Sequence, residues 1–189
     1  PALWDDREPN LYQATVSLSA PGQEPDTTTQ NIGIRKIEVT AAEGMKVNGR
    51  KVKLYGGCIH HDNGILGAAA LPRAEFRKIQ KLREGGYNAI RTAHNPPSQA
   101  LLDACDQLGV YVIDEFFDCW RVGKNRNDYH LWFEDWWQRD IESTIRRDRN
   151  HPCVYCWSFG NEIPEANGAA NAEYWMQAQA DFIRSLDST

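Results

Sequence analysis

Cys153-Val154-Tyr155-Cys156-Trp157-Ser158-Phe159-Gly160-Asn161-Glu162 is apolar nearly throughout and then stops on an amide and a carboxylic acid. A short run of this kind, without polar alternation, is the pattern of a strand buried on both faces in a parallel sheet. Residues 153–159 are therefore expected to form a strand. Nothing is left for Asn161 and Glu162 to pack against. If that strand end faces a pocket, Asn161 is a hydrogen-bonding group and Glu162 a proton donor or nucleophile.

Upstream, strand and helix patterns alternate, the signature of a parallel sheet. A strand at 52–57 precedes a helix at 72–84, which has Pro72 in its first turn, Phe76, Ile79 and Leu82 on one face, and Gly85-Gly86 as its stop. A strand at 87–91 precedes a helix at 98–108, capped by Ser98 and ended by Gly109. A strand at 110–114 precedes a long excursion and a helix at 131–147. The strand at 153–159 precedes a helix at 171–186, with Asn171 as its cap.

The ends of these four strands carry polar groups. They are His60, His61 and Asp62 just past the first, Arg91 and His94 at the second, Asp114 and Glu115 at the third, and Asn161 and Glu162 at the fourth. In (β/α)8 barrels the reacting groups sit at the C-terminal strand ends. A doubly wound sheet would instead need a glycine-rich phosphate loop after its first strand, and Gly56-Gly57-Cys58-Ile59-His60 is not one. The fold class expected is α/β, the first four βα units of a (β/α)8 TIM barrel.

Residues 1–42 read as all-β. A strand at 11–19 is followed by a Pro/Gly/Asp/Thr loop at 21–29 and a strand at 31–39, then a hairpin around Asn48-Gly49, the dipeptide that best tolerates a type I′ turn. Two strands do not make a stable sheet, so they are expected to be the terminal strands of a β-sandwich. The domains expected are 1–42 (sandwich end) and 43–189 (first half of the barrel). Pro1-Ala2-Leu3-Trp4 reads as the start of an excised piece of something longer.

Composition narrows the function. The 189 residues carry a net charge of -5, with 41% hydrophobic and 11% aromatic side chains, and the pI is near 5.5. A core of real size is within reach. The acidic balance supplies no basic patch for nucleic acid, and no apolar stretch of membrane-spanning length is present. Five cysteines, an odd number in mostly apolar contexts, read as reduced core residues and favour the cytoplasm. Cys153-Val154-Tyr155-Cys156 has C-x-x-C spacing, but strand residues three apart point to opposite faces.

Several blocks together carry a family resemblance. They are Gly33-Ile34-Arg35-Lys36, residues 47–57, Asn88-Ala89-Ile90-Arg91-Thr92-Ala93-His94-Asn95-Pro96-Pro97, Val112-Ile113-Asp114-Glu115, Arg147-Asp148-Arg149-Asn150-His151-Pro152 and Trp157-Ser158-Phe159-Gly160-Asn161-Glu162. In this order they resemble glycoside hydrolase family two over nearly the whole chain. Asp114 to Trp120 most resembles its β-galactosidase-like members.

The resemblance implies a retaining β-glycosidase acting on terminal β-glycosides, β-galactosides first, with β-glucuronidases and β-mannosidases as the alternatives. Glu162 matches the general acid/base and Asn161 the residue that holds the sugar 2-hydroxyl. Retaining chemistry needs a second carboxylate about 5 to 5.5 Å away as nucleophile. In the family that is a glutamate on the seventh barrel strand, and neither Glu115 nor Glu165 substitutes for it. This chain alone is therefore expected to be inactive.

Arg91 matches the arginine that orients the nucleophile; the alternative is a core arginine satisfied by Asp114. His94 lies where relatives place a histidine near the sugar, or is a loop histidine. His60 matches an active-site position better than His61, and Asp62 accepts sugar hydroxyls or caps its loop. Trp120 lines the sugar platform or packs on Trp132, Trp136 or Trp137, a trio whose spacing reads as core. Glu115 reads as a structural hydrogen-bonding group, and Arg146, Arg147 and Arg149 as a salt-bridged helix end.

Some members of the family bind magnesium through Glu-x-His beyond the third strand. Here the region reads Asp118-Cys119-Trp120-Arg121, so neither a metal nor any other cofactor is expected. Two other classes stand beside the glycosidase: a non-catalytic carbohydrate-binding or scaffold fragment, and a metal-dependent hydrolase using His60, His61 and Glu162. Half a barrel leaves open edges and apolar interior residues such as Ile90 and Val112 partly uncovered, which predicts association with another copy or marginal stability.

Overall fold

The computed structural model describes residues 1–168 and 171–188. Its centre is a four-stranded parallel sheet, β6 (Gly56–His60), β7 (Ala89–Ala93), β8 (Tyr111–Glu115) and β9 (Val154–Ser158), paired in sequence order. Helix α1 (Pro72–Glu84), α2 (Gln99–Leu108), α3 (Phe133–Asp148) and α4 (Ala172–Leu186) follow the four strands in turn. These are the four βα units, the opening half of a TIM barrel.

Two small antiparallel sheets precede it. β1 (Tyr12–Leu18) pairs with β2 (Asp26–Ile32), and β3 (Ile37–Thr40) pairs with β4 (Gly44–Val47), which continues into β5 (Arg50–Lys51). Asn48 and Gly49 both take positive φ, 52° and 79°, as the tight turn between β4 and β5 requires. Residues 26–29, expected as loop, are strand. Both faces of β2 are exposed, so its threonines show no apolar alternation, and side-chain pairs Thr15–Thr29 and Ser17–Thr27 tie it to β1.

Barrel strands begin later than the apolar pattern indicated. The first starts at Gly56 rather than at residue 52, because the chain continues out of the hairpin with Val52 and Leu54 packed into the core. A Cβ at Gly56 would lie 2.0 Å from the Ala89 carbonyl oxygen, so glycine there is what lets β6 and β7 pair.

One row across the sheet, Gly57, Ile90, Val112 and Val154, turns toward the helices. Ile90 and Val112 are 3% and 0% exposed and pack with Ile79, Leu101 and Leu102. The expectation that these two would be partly uncovered is therefore corrected. In a parallel sheet both faces are apolar, so the sequence leaves undecided which face meets the helices. The adjacent row, Cys58, Arg91, Ile113 and Cys156, takes the uncovered face.

Cysteines divide accordingly. Cys105, Cys119 and Cys153 are buried, whereas Cys58 and Cys156 are exposed, which corrects the reading of all five as core. All five are free thiols, and Cys153 and Cys156 point apart as the strand period requires.

A second cluster, Phe116, Phe117, Trp120, Phe133, Trp137, Ile141, Ile145 and Ile183, fills the space under α3 and α4. Trp137 belongs to it, but Trp132 and Trp136 are exposed, and Arg139 lies 4.3 Å over the Trp136 ring. Helical spacing put all three in one set, and only one of them faces inward. Asn171 stands at the start of α4 with φ 74° and no side-chain cap bond, so it is not the cap expected. Ser98 does cap α2, accepting from the Leu101 amide. Arg147 pairs with Asp148, and Arg146 with Glu142.

The segment before the barrel is pinned to its base. Trp4, fully buried, donates through Nε1 to the Asp106 carbonyl at 2.8 Å. Arg35 donates to the Pro152 carbonyl at 2.6 Å and to that of Val154. Trp4 thus ties this segment to α2, and Arg35 ties it to the start of β9.

Candidate active site

Strand pairing places the ends of β7, β8 and β9 side by side, and their polar residues meet there. Glu115, fully buried at the end of β8, is the hub. Its Oε2 takes Arg91 Nε at 2.7 Å, Arg91 Nη2 at 2.6 Å and Ser158 Oγ at 2.7 Å, while its Oε1 lies 2.7 Å from His94 Nδ1. A buried carboxylate is stable only with partners of this kind. The reading of Glu115 as a hydrogen-bonding group fits this geometry, and Arg91 pairs with it rather than with Asp114.

Burial alone would lower the Arg91 pKa, but Glu115 outweighs it and raises it, so the guanidinium is a fixed positive charge. Its Nη2 also donates to Asn161 Oδ1 at 3.0 Å. Asn161 Nδ2 in turn donates to Asp118 Oδ1 at 2.9 Å, fixing the amide at both ends. The next residue, Glu162, has φ 44°, a left-handed conformation costing on the order of 1 kcal/mol for a side chain of this size. Its carboxyl is exposed and makes no hydrogen bond to the described residues. It opens into a cavity of about 480 Å³ that also contains Arg91, Ile113, Trp120, Cys156 and Ile163.

Trp120 is nearly buried; it stacks on Phe133 and Phe159 and donates through Nε1 to the Phe159 carbonyl at 2.6 Å. It therefore packs as well as lining the cavity, and its neighbours are not the tryptophans weighed against it. His60 meets His94 edge to face, with ring centroids 5.4 Å apart. Asp62 is not brought to Glu162. With His60 it lines a separate cavity of about 690 Å³ against α1, and its contact with the Gly64 amide is long, at 3.4 Å.

Lys124 went unread in the sequence, and Asp118 and Glu165, considered there only as an unmatched metal position and an unconvincing nucleophile, take other roles. Lys124 Nζ donates to Asp118 Oδ1 and to the Asn161 carbonyl, each at 2.7 Å, and Glu165 Oε1 accepts from the amides of Arg121 and Val122. Asp103, Asp106 and His151 are the one described group spaced for a metal ion. Asp106 already takes His151 and the Cys153 amide there, beside the start of β9 and at the far end of that strand from Glu162.

Residues 37–189 match the family model described as glycosyl hydrolases family 2, TIM barrel domain, and residues 1–35 match a second one, glycosyl hydrolases family 2. The chain belongs to glycosyl hydrolase family 2. Within it, a β-galactosidase of Bacteroides ovatus, BoGH2A, is 44% identical over 97% of this chain and 21% of its own length. A putative β-glucuronidase of Formosa agariphila is 39% identical over 86% of this chain and 16% of its own. A crystal structure of a family 2 member from Bacteroides cellulosilyticus superposes with a TM-score of 0.96 at 48% identity, covering all of this chain and 24% of that one. The chain thus spans about a quarter or less of these relatives. Among the described residues no helix is long and apolar enough to cross a membrane.

Proposed function

We propose that these residues supply the acid/base half of a retaining β-glycosidase acting on terminal β-galactosides, with residues 1–42 closing a sandwich domain and 43–189 opening the catalytic barrel. The observation that carries the reading is the Glu162 carboxyl, free at the end of β9 and facing a cavity it shares with the Glu115-bound Arg91.

In the first step Glu162 gives its proton to the glycosidic oxygen as that bond to the anomeric carbon breaks, and a carboxylate from outside these residues forms the new bond to carbon. In the second step the Glu162 carboxylate takes a proton from water, whose oxygen attacks the same carbon and releases the nucleophile. Asn161 is the group for the sugar 2-hydroxyl, with its amide oriented by Asp118 and Arg91. Arg91 orients the nucleophile, with His94, His60 and Trp120 around the sugar. Asp62 binds a more distant part of the glycoside. The likeness to BoGH2A favours galactose over glucuronic acid.

The test uses the complete reading frame that encodes these residues. Glu162→Ala is expected to abolish hydrolysis of phenyl β-galactoside, to keep the first step with 2,4-dinitrophenyl β-galactoside, whose leaving group needs no proton, and to be rescued by azide. Absence of azide rescue overturns the acid/base role. The 189-residue chain alone is expected not to turn over nitrophenyl β-galactoside. Turnover that Glu162→Gln abolishes would overturn the external nucleophile, and sugar binding without turnover by the complete protein would favour the scaffold reading.

A further inference from the structure

We propose that Lys124 is a positioning residue that fixes the backbone entering Glu162, an inference that rests on the acid/base reading of that glutamate. Lys124 lies in the long excursion between β8 and α3. Its ammonium bridges the Asp118 carboxylate and the Asn161 carbonyl oxygen at 2.7 Å each, with its side chain largely shielded from water. Asp118 holds the Asn161 amide at 2.9 Å, so Lys124, Asp118 and Asn161 close a triangle of hydrogen bonds.

The carbonyl that Lys124 grips belongs to the peptide joining Asn161 to Glu162. Its orientation is coupled to the Glu162 φ of 44°, a conformation a glutamate leaves readily unless its surroundings hold it. Charge favours the same arrangement. Burial pushes the Asp118 carboxyl pKa up, but its bonds to Lys124 and Asn161 outweigh this and hold it below the ordinary value, which favours the ionised form beside Lys124.

The excursion grips the acid segment at two further points. Trp120 Nε1 donates to the Phe159 carbonyl, and Glu165 Oε1 accepts the Arg121 and Val122 amides. Of the three ties, only that of Lys124 acts on the peptide next to the acid.

A displacement of the acid by about 1 Å costs on the order of 10²-fold in rate. In the complete protein, Lys124→Met is therefore expected to lower kcat/KM for phenyl β-galactoside about 100-fold, while 2,4-dinitrophenyl β-galactoside, which does not need the acid in the first step, changes by less than about 5-fold. Lys124→Arg, which can still donate to both oxygens, should recover most of the loss. Asp118→Ala, which leaves the ammonium only the Asn161 carbonyl, is the second variant should Lys124→Met not fold, and carries the same expected contrast between the two substrates.

Equal losses on both substrates, or a rise in KM alone, would place Lys124 on the sugar instead, and no loss would remove it from the site; either result overturns the proposal. Azide rescue of Glu162→Ala is read in parallel. If that fails, the acid/base reading has failed, whatever Lys124→Met does.

Discussion

Arg91 closes on a single oxygen of Glu115 with two of its nitrogens, Nε at 2.7 Å and Nη2 at 2.6 Å, across neighbouring strands. Glu115 is fully buried, whereas Arg91 retains some exposure. Glu115→Gln removes the charge and leaves one carbonyl oxygen where two carboxylate oxygens met Arg91, Ser158 and His94. The expected loss is about 3 kcal/mol, the low end for breaking a buried pair, because Arg91 and His94 keep some access to water. The shift of the urea midpoint measures it, and a loss under about 1 kcal/mol would show that the pair is already open in solution.

Asp114 sits just before this hub and is fully buried. Burial first, and the Asp148 charge second, raise its pKa above the ordinary 3.8. The folded state therefore binds a proton that the unfolded chain releases, and stability falls as pH rises. The contribution is complete below about pH 4 and is lost as pH climbs through the folded pKa. Asp114→Asn abolishes that slope, so its stability relative to the wild type should improve from pH 4 to pH 8. Urea midpoints across that range test the sign, and a relative decline of the variant would show that Asp114 is ionised when folded.

Gly56→Ala places a methyl against the Ala89 carbonyl, where only backbone could yield. The expected cost is about 1 to 3 kcal/mol or more, with β6 pulled from β7. Amide exchange should show it as lost protection in β6 while β8 and β9 stay protected. Uniform loss over the sheet would mean that the strain spreads.

The outer edges of β6 and β9 are unpaired within the described residues. The 189-residue chain by itself is expected to self-associate through them. Light scattering and calorimetry decide: a monodisperse monomer with a sharp unfolding transition would mean that the edges are covered in some other way.

Much of this was legible because glycine, proline and serine punctuate the chain. Pro72, Ser98 and Gly109 set helix bounds that the structure reproduces to within a residue. Asn161 and Glu162 were legible because a buried strand cannot end on an amide and an acid without a reason. What escaped notice depends on distant partners. Lys124 earns its place only through Asp118 and Asn161, one of them 37 residues away, and an exposed-looking lysine in a polar loop carries no periodicity. β2 was hidden because no face of it is buried. The orientation of Ile90 and Val112 was hidden because both faces of their sheet are apolar.

The row Cys58, Arg91, Ile113 and Cys156 puts the chain's two exposed thiols on its outermost strands, roughly 14 Å apart at about 4.8 Å per strand spacing, on the face a closed barrel would enclose. The other three sulfurs are buried. Alkylation of these two is thus a natural gauge of closure: both react while the sheet lies open, and whatever seals that face silences both together.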